Sequence, residues 1–337
     1  MKYKRILKFS IGIFVSIFFV FLVFRSVSFE SLVVSLSHAR LAPLAVGVAT
    51  LVVAYLVRVK RSQIMLAAVN PAVTFGRSAV PYMVSVAANN VLPFRVGDIL
   101  RAINFSSWLG VSTASILAVM MLERLMDLLV IIGFFGLTLF LFHARESGEL
   151  ALLHSSSTFL VASTVCIACL LLFPTLLHTP VEWAMSALQR IAPRIAAKLR
   201  PQVHRIFSTL TVIIHRPLMA LLLGCTVLSW FFEACTFYMV ACAIPDLVNP
   251  TVGWLAMPVG TLSTTLPSSP GYVGTFHYFV TVAARALGNT PGASTAFAIL
   301  VHLVLWLPVT ICGALCFAYW TIRRSSPLPF HHSGSEF

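Results

Sequence analysis

The sequence predicts an all-α polytopic membrane protein with about six full spans plus two re-entrant helical hairpins, arranged as an inverted repeat. Three observations carry this expectation. Of 337 residues, 59% are hydrophobic and only 10% charged, against roughly 25% charged in a soluble domain. The apolar residues fall into runs long enough to cross a ~30 Å hydrocarbon core. Two further apolar regions carry the same interruption, Leu-Pro followed by Gly: Leu92-Pro93…Gly97 and Leu266-Pro267…Gly271. Too few charges remain to cover a soluble surface. The basic residues lie between apolar runs and form no free-standing basic domain, which excludes disorder and nucleic-acid binding as main themes.

The elements follow in chain order. The basic MKYKRILKFS start precedes an apolar run over 11–24. It carries no small-residue cleavage site, so a retained signal anchor is expected. Spanning stretches lie at 8–28, 41–58, 111–142, 158–177, 217–243 and 293–320. The broken regions are 76–108 and 250–287, each with halves of about 15 residues, too short to cross comfortably. Each is read as a re-entrant hairpin; the alternative, in which every half crosses steeply, gives ten spans. The chain is then a single transmembrane domain over 1–337, with a first repeat at 5–145 and a second at 155–322. Inverted repeats with paired broken helices are a transporter architecture that binds substrate where the breaks meet.

Charge placement gives an orientation. Lys plus Arg number 23 and Asp plus Glu 10, a formal net charge of +13. With the N-terminus inside, sixteen basic residues fall on inner segments: Lys2, Lys4, Arg5, Lys8, Arg58, Lys60, Arg61, Arg77, Arg190, Arg194, Lys198, Arg200, Arg205, Arg216, Arg323 and Arg324. Arg25, Arg40, Arg145 and Arg285 are outside, and Arg95, Arg101 and Arg124 lie in or beside membrane segments. The excess predicts both termini on the cytoplasmic side of the inner membrane. The basic stretch 180–216, with Val203, Ile206, Phe207, Leu210 and Ile214 at helical spacing, reads as an inner-surface amphipathic segment against anionic lipid. The polar tail 327–337 is given no function. Cys166/Cys169 and Cys312/Cys316 have metal-like spacings but lie in apolar runs with no completing ligands. No metal or cofactor is expected.

Charges within membrane segments are costly, about 2.5–3.5 kcal/mol each on insertion scales, and usually line a cavity with a partner. The first cluster is Asn89, Asn90, Pro93, Arg95, Gly97, Asp98 and Arg101. Pro93 breaks the helix, and Gly97 allows a tight turn. The N-terminus of the half-helix after the break favours an anion, and Arg95 and Arg101 match phosphate geometry. Asp98 and Arg101, three apart, could pair. The second cluster is Glu123, Arg124 and Asp127, with both acids on one helix face. It suits proton coupling or an ion-paired lock between helices. Glu233 stands among aromatics and needs a partner, for which an Arg of the first hairpin is the candidate. In the second hairpin, Ser268, Ser269, Tyr272, Thr275 and His277 offer polar groups, and Pro267, Pro270, Gly271 and Gly274 offer hinges. No catalytic motif accompanies them.

NNVLPFRVGDILRA, ERLMDLL and LPSSPGYVGTFHY, in that order, resemble a flippase-like integral-membrane family that includes the transmembrane domain of lysylphosphatidylglycerol synthases. The resemblance covers roughly residues 5–322. It carries over to Asn90, Pro93, Arg95, Gly97, Asp98 and Arg101, to Glu123, Arg124 and Asp127, and to Pro267, Pro270, Gly271 and Gly274. An acid that often follows the last glycine in relatives is replaced here by Phe276-His277. The resemblance implies movement of lipids, or of lipid-linked headgroups, between leaflets. The soluble synthase domain of some relatives is missing from this sequence, so aminoacyl transfer is not implied. The expected function is a flippase or transporter for an anionic phospholipid or a polyprenyl-phosphate-linked lipid. Arg95, Arg101 and Arg124, helped by Asn89, Asn90, Asp98, Ser268, Ser269, Tyr272 and His277, would hold the headgroup. Asp98, Glu123, Asp127 and Glu233 would balance charge or exchange protons. A membrane-embedded lipid-modifying enzyme, or an accessory partner of a lipid-synthesis enzyme, is the alternative.

Overall fold

A computed structural model describes residues 18–23, 25, 29–143, 162–164, 166–168, 178–214, 216–266 and 269–325. Among these there are helices and turns and no strand. Helix α1 (Phe29–Ser37) precedes α2 (Leu41–Val69), α3 (Phe75–Val91), α4 (Val96–Ile103), a single turn α5 (Ser106–Leu109) and α6 (Thr113–His143). Then come α7 (His178–Ile191), α8 (Pro193–Ile213), α9 (Arg216–Cys242), α10 (Val252–Ser263), α11 (Thr275–Ala286) and α12 (Pro291–Ser325). Among the described residues four helices, α2, α6, α9 and α12, are long and apolar enough to cross a membrane. They match four of the six expected spans. The stretches 8–28 and 158–177 lie largely outside the described residues, as do the tail 327–337, Pro267 and Ser268.

Local chemistry sets the ends of these helices. α2 stops at Asn70, whose side chain accepts from the Ala72 amide at 3.1 Å and donates to the Leu109 and Gly110 carbonyls at 3.0 and 3.2 Å. Pro71 follows and cannot continue the helix. Thr74 caps α3 by accepting from the Arg77 amide. α3 ends at Leu92 in an extended conformation, φ −100° and ψ 143°, as the ring of a following proline requires. Phe94 and Arg95 then adopt left-handed backbone, φ 63° and 52°, at about 1–2 kcal/mol each.

This turn folds α4 back along α3. Gly97 does not supply the turn's unusual dihedrals, contrary to expectation; Phe94 and Arg95 do. Gly97 sits in α4 because a β-carbon there would overlap the Ser85 carbonyl oxygen. The two arms are also unequal, 17 residues in α3 and 8 in α4, not two halves of about 15. The second hairpin is more even: α10 and α11 have 12 residues each, about 18 Å at 1.5 Å per residue. Its turn passes through left-handed Gly271 and Tyr272, φ 71° and 57°.

α2 and α9 run antiparallel through the centre. Gly47 lies against Met239, Thr50 bonds Thr236 at 3.0 Å, and Arg61 reaches Thr226 at 2.7 Å. α3 of the first hairpin packs on α12, and α10 of the second packs on α6. One apolar core joins the end of α9 to α10, α11 and the start of α12, with Phe237, Met257, Val280 and Phe297 inside. Another joins the end of α2, α4, α5 and the start of α6 to Leu210, Leu222 and Trp320. The basic stretch forms α7 and α8, with the predicted stripe turned inward, Leu210 buried, and Arg194, Lys198 and Arg205 exposed.

Candidate functional site

The charged groups gather in a cavity of about 220 Å³, walled by α2, α3, α4, α6, α9, the second turn and α12. It brings together Asn89, Asn90, Arg95, Asp98, Arg101, Glu123, Arg124, Asp127, Glu233, Gly271 and Tyr272 from the sequence-derived set. His277 is outside it, bonded to cavity residue His302 at 3.2 Å. Ser269 bonds to carbonyls of its own turn.

Every intramembrane acid has an arginine, and most of the partners differ from those expected. Arg101 binds Glu123 through two bonds, 2.8 and 3.0 Å, and donates to Ser62 at 2.7 Å; it does not pair with Asp98. Arg61 grips Asp127 at 2.7 and 3.2 Å and donates to Thr226. Glu233 pairs at 2.6 Å with Arg58 of α2, not with an arginine of the hairpin. Asp98 lies 3.5 Å from Arg124 and accepts from Ser85 and Asn89 at 3.1 and 2.8 Å. Aromatic faces complete the layer. Arg58 sits 4.3 Å from the Trp230 ring and Arg101 4.8 Å from Tyr82, distances at which the ring quadrupole attracts a cation. Trp230 also donates to Asp127 at 3.0 Å.

Arg58 and Arg61 were assigned above to an inner surface segment and are instead buried. Their helix continues straight to Val69, and they occupy the same stripe as Leu51, Ala54 and Met65. The spacing 51, 54, 58, 61, 65 alternates three and four, which marks a buried face. That periodicity was the signal available in the sequence. Tyr55, Tyr82, Trp230, His302 and Trp306 also line the cavity; they had no signal beyond ordinary aromatic or apolar content.

The pairs differ in commitment. Arg58, Arg61 and Arg101 are buried against their acids, with side chains 7%, 1% and 6% exposed, while Arg124 is 52% exposed beside Asp98. Arg95 is exposed, lines the cavity, and makes no ion pair among the described residues. Four arginines and four acids line the cavity; with Arg61, which holds Asp127 from outside the lining, the cluster carries one positive charge in excess.

His277 accepts from the Gly274 amide at Nδ1, 3.3 Å away. Its neutral ring then carries the proton on Nε2 and donates to His302 Nδ1. Both nitrogens of His277 are thereby partnered.

The fold is that of a helical membrane protein whose four intramembrane acids are each paired with an arginine around a cavity between two helical hairpins. The chain belongs to the lysylphosphatidylglycerol synthase TM region family, whose model matches residues 9–313. That membership makes it an integral membrane protein tied to lipid. No curated protein matches the chain.

Proposed function

We propose that the protein moves an anionic lipid between leaflets, the phosphate headgroup passing through the charged cavity while the hydrocarbon stays in lipid. The observation that carries this reading is the charge count of the cluster, Arg61 included, where Arg95 lines the cavity without a carboxylate beside four acids already paired. A single phosphodiester charge would balance it. Arg95 and the half-exposed Arg124 are the donors for that phosphate, with Asn90 and Tyr272 at its edge. Arg61 and Arg101 hold helices together through their acids; Arg58 is tied to Glu233 but keeps Nη2 without a hydrogen-bond partner among the described residues.

The inverted repeat belongs to the same proposal. In it α2 and α9, which run antiparallel, would be symmetry mates; that one arm of each hairpin packs on the last span of the opposite half supports this. Hairpin arms of about 12–25 Å, against a ~30 Å core, support re-entrance from opposite sides. The cytoplasmic placement of both termini keeps its support: moving Arg58 and Arg61 inside reduces the inner basic count from 16 to 14, still against 4.

The test is reconstitution. Vesicles carrying fluorescent phosphatidylglycerol are assayed for lipid movement with the wild type, Arg95→Gln and Arg101→Gln. Arg95→Gln is expected to lose movement with unchanged thermal stability, and Arg101→Gln to lose stability. Wild-type movement in Arg95→Gln would sink the assignment. Conversion of the lipid to a new product would replace the carrier by an enzyme.

A further inference from the structure

Asn90, Gly271, His302 and Trp306 line two cavities at once. One is the charged cavity. The other, about 480 Å³, is walled otherwise by Val91, Pro270, Val273, His277, Ile299 and Leu303. Val91, Val273 and Leu303 are exposed on the outer surface, so this second cavity opens toward lipid. One layer of side chains divides a charged chamber from an apolar one.

That layer is tied by hydrogen bonds where the two hairpin turns meet. Trp306 Nε1 donates to the Asn90 carbonyl at 3.3 Å, Asn90 Nδ2 donates to Thr310 at 2.9 Å, and Thr310 donates to the Trp306 carbonyl at 2.6 Å. Asn90 stands near the end of α3, where carbonyls have lost their intrahelical donors, and Trp306 supplies one. From the other hairpin, a β-carbon on Gly271 would stand 3.2 Å from Trp306 Nε1 and 3.3 Å from that same carbonyl. A side chain there would press on the bond.

We propose that the two cavities form one amphiphile site: the hydrocarbon nearest the headgroup of an anionic phospholipid lies in the apolar cavity, and Trp306 is the partition between chain and phosphate. This rests on the lipid-carrier reading above. The physical reason is direct. A lipid whose phosphate enters the charged chamber must keep its first methylenes out of it, since hydrocarbon is stabilised by apolar surroundings and not beside charges. The apolar chamber is adjacent, open to the bilayer, and one side chain away.

The experiment places photoreactive benzoylphenylalanine at Leu303, in the full chain, in vesicles of equal phosphatidylglycerol and phosphatidylcholine. Position 315 of α12, where Leu315 is exposed, serves as the lipid-facing control. At position 303, adducts are expected to be enriched several-fold in phosphatidylglycerol, and the enrichment to vanish in Arg95→Gln/Arg124→Gln. At position 315 they should follow the vesicle composition. Adducts at 303 that also follow the composition, or no lipid adduct there, overturn the proposal. A second variant, Ile299→Trp, fills the apolar cavity. It should stop movement of long-chain phosphatidylglycerol while soluble glycerophosphate still raises its melting temperature as it does that of the wild type. Unimpaired movement overturns the chain site. Failure of the carrier reading looks different: wild-type vesicles would move no lipid while position 303 still selected phosphatidylglycerol.

Discussion

Removing Arg61 should leave the protein close to unfolding, and removing Asp127 with it should restore the protein. The Arg61 side chain is 1% exposed and that of Asp127 13%. Arg61 makes two bonds to the carboxylate and one to Thr226. In Arg61→Met the carboxylate keeps only the Trp230 donor at 3.0 Å and becomes an uncompensated buried charge. Breaking one side of such a pair costs about 3–5 kcal/mol, while replacing both sides by apolar residues of similar volume is near neutral or stabilising. Unfolded helices in detergent still find polar partners, so the lower end, about 3 kcal/mol, is expected here. Arg61→Met/Asp127→Leu should lie within about 1 kcal/mol of wild type. The assay is reversible unfolding in mixed detergent–SDS micelles for the four proteins of the cycle. Two outcomes would refute the reasoning: a loss below about 0.5 kcal/mol in Arg61→Met, the size of an ordinary surface change, or additive losses in the double variant, as expected of sites that do not interact.

Three further outcomes follow from the same geometry. Trp230→Phe removes the donor to Asp127 and weakens the ring beneath Arg58, and should cost about 1–3 kcal/mol in the same unfolding assay. Gly97→Ala forces a methyl against the Ser85 carbonyl, so the first hairpin cannot close; about 1–3 kcal/mol of overpacking is expected, with a lower melting temperature and loss of lipid movement. Asp98→Asn takes one negative charge from the cavity wall beside Arg124. It should tighten phosphatidylglycerol binding by about tenfold, 1.4 kcal/mol, measured by native mass spectrometry of retained lipid, and slow its release; unchanged or weaker retention would count against a phosphate at Arg124.

The interior chemistry was legible in part, for physical reasons that differ by residue. Asp98, Glu123, Asp127 and Glu233 stood out because lipid excludes carboxylates, and all four line the cavity. Their partners were harder. A hydropathy run that stops at Arg58 looks like the end of a span, although the helix carries Arg58 and Arg61 inward on its packed stripe. Pairing between Asp98 and Arg101 seemed natural from their spacing in one helix. Tertiary packing put each against a different residue of α6, at greater sequence distance. The turns announced themselves through Pro93 and through Pro270-Gly271, but the unequal arms did not, because arm length depends on where Asn104 and Phe105 bend the chain. His302, Trp306 and Thr310 lie in a run that reads as an unbroken span; nothing in their composition marks the face they turn to the hairpins.

The distances in sequence between cation and anion set a constraint on biosynthesis. Arg58 and Arg61 belong to α2, but their counterions arrive on α6 and α9, at Asp127 and Glu233. While the ribosome is still making those later helices, α2 carries two uncancelled guanidiniums, each opposing insertion by about 2.5–3.5 kcal/mol. The nascent segment can relieve that opposition by floating its charged end at the interface, as long arginine side chains allow. It settles to its final depth only when α6 and α9 enter beside it. Charge neutralisation thereby acts as a checkpoint in assembly: a chain truncated before Glu233 should remain shallow in the bilayer and accessible to quality-control proteases.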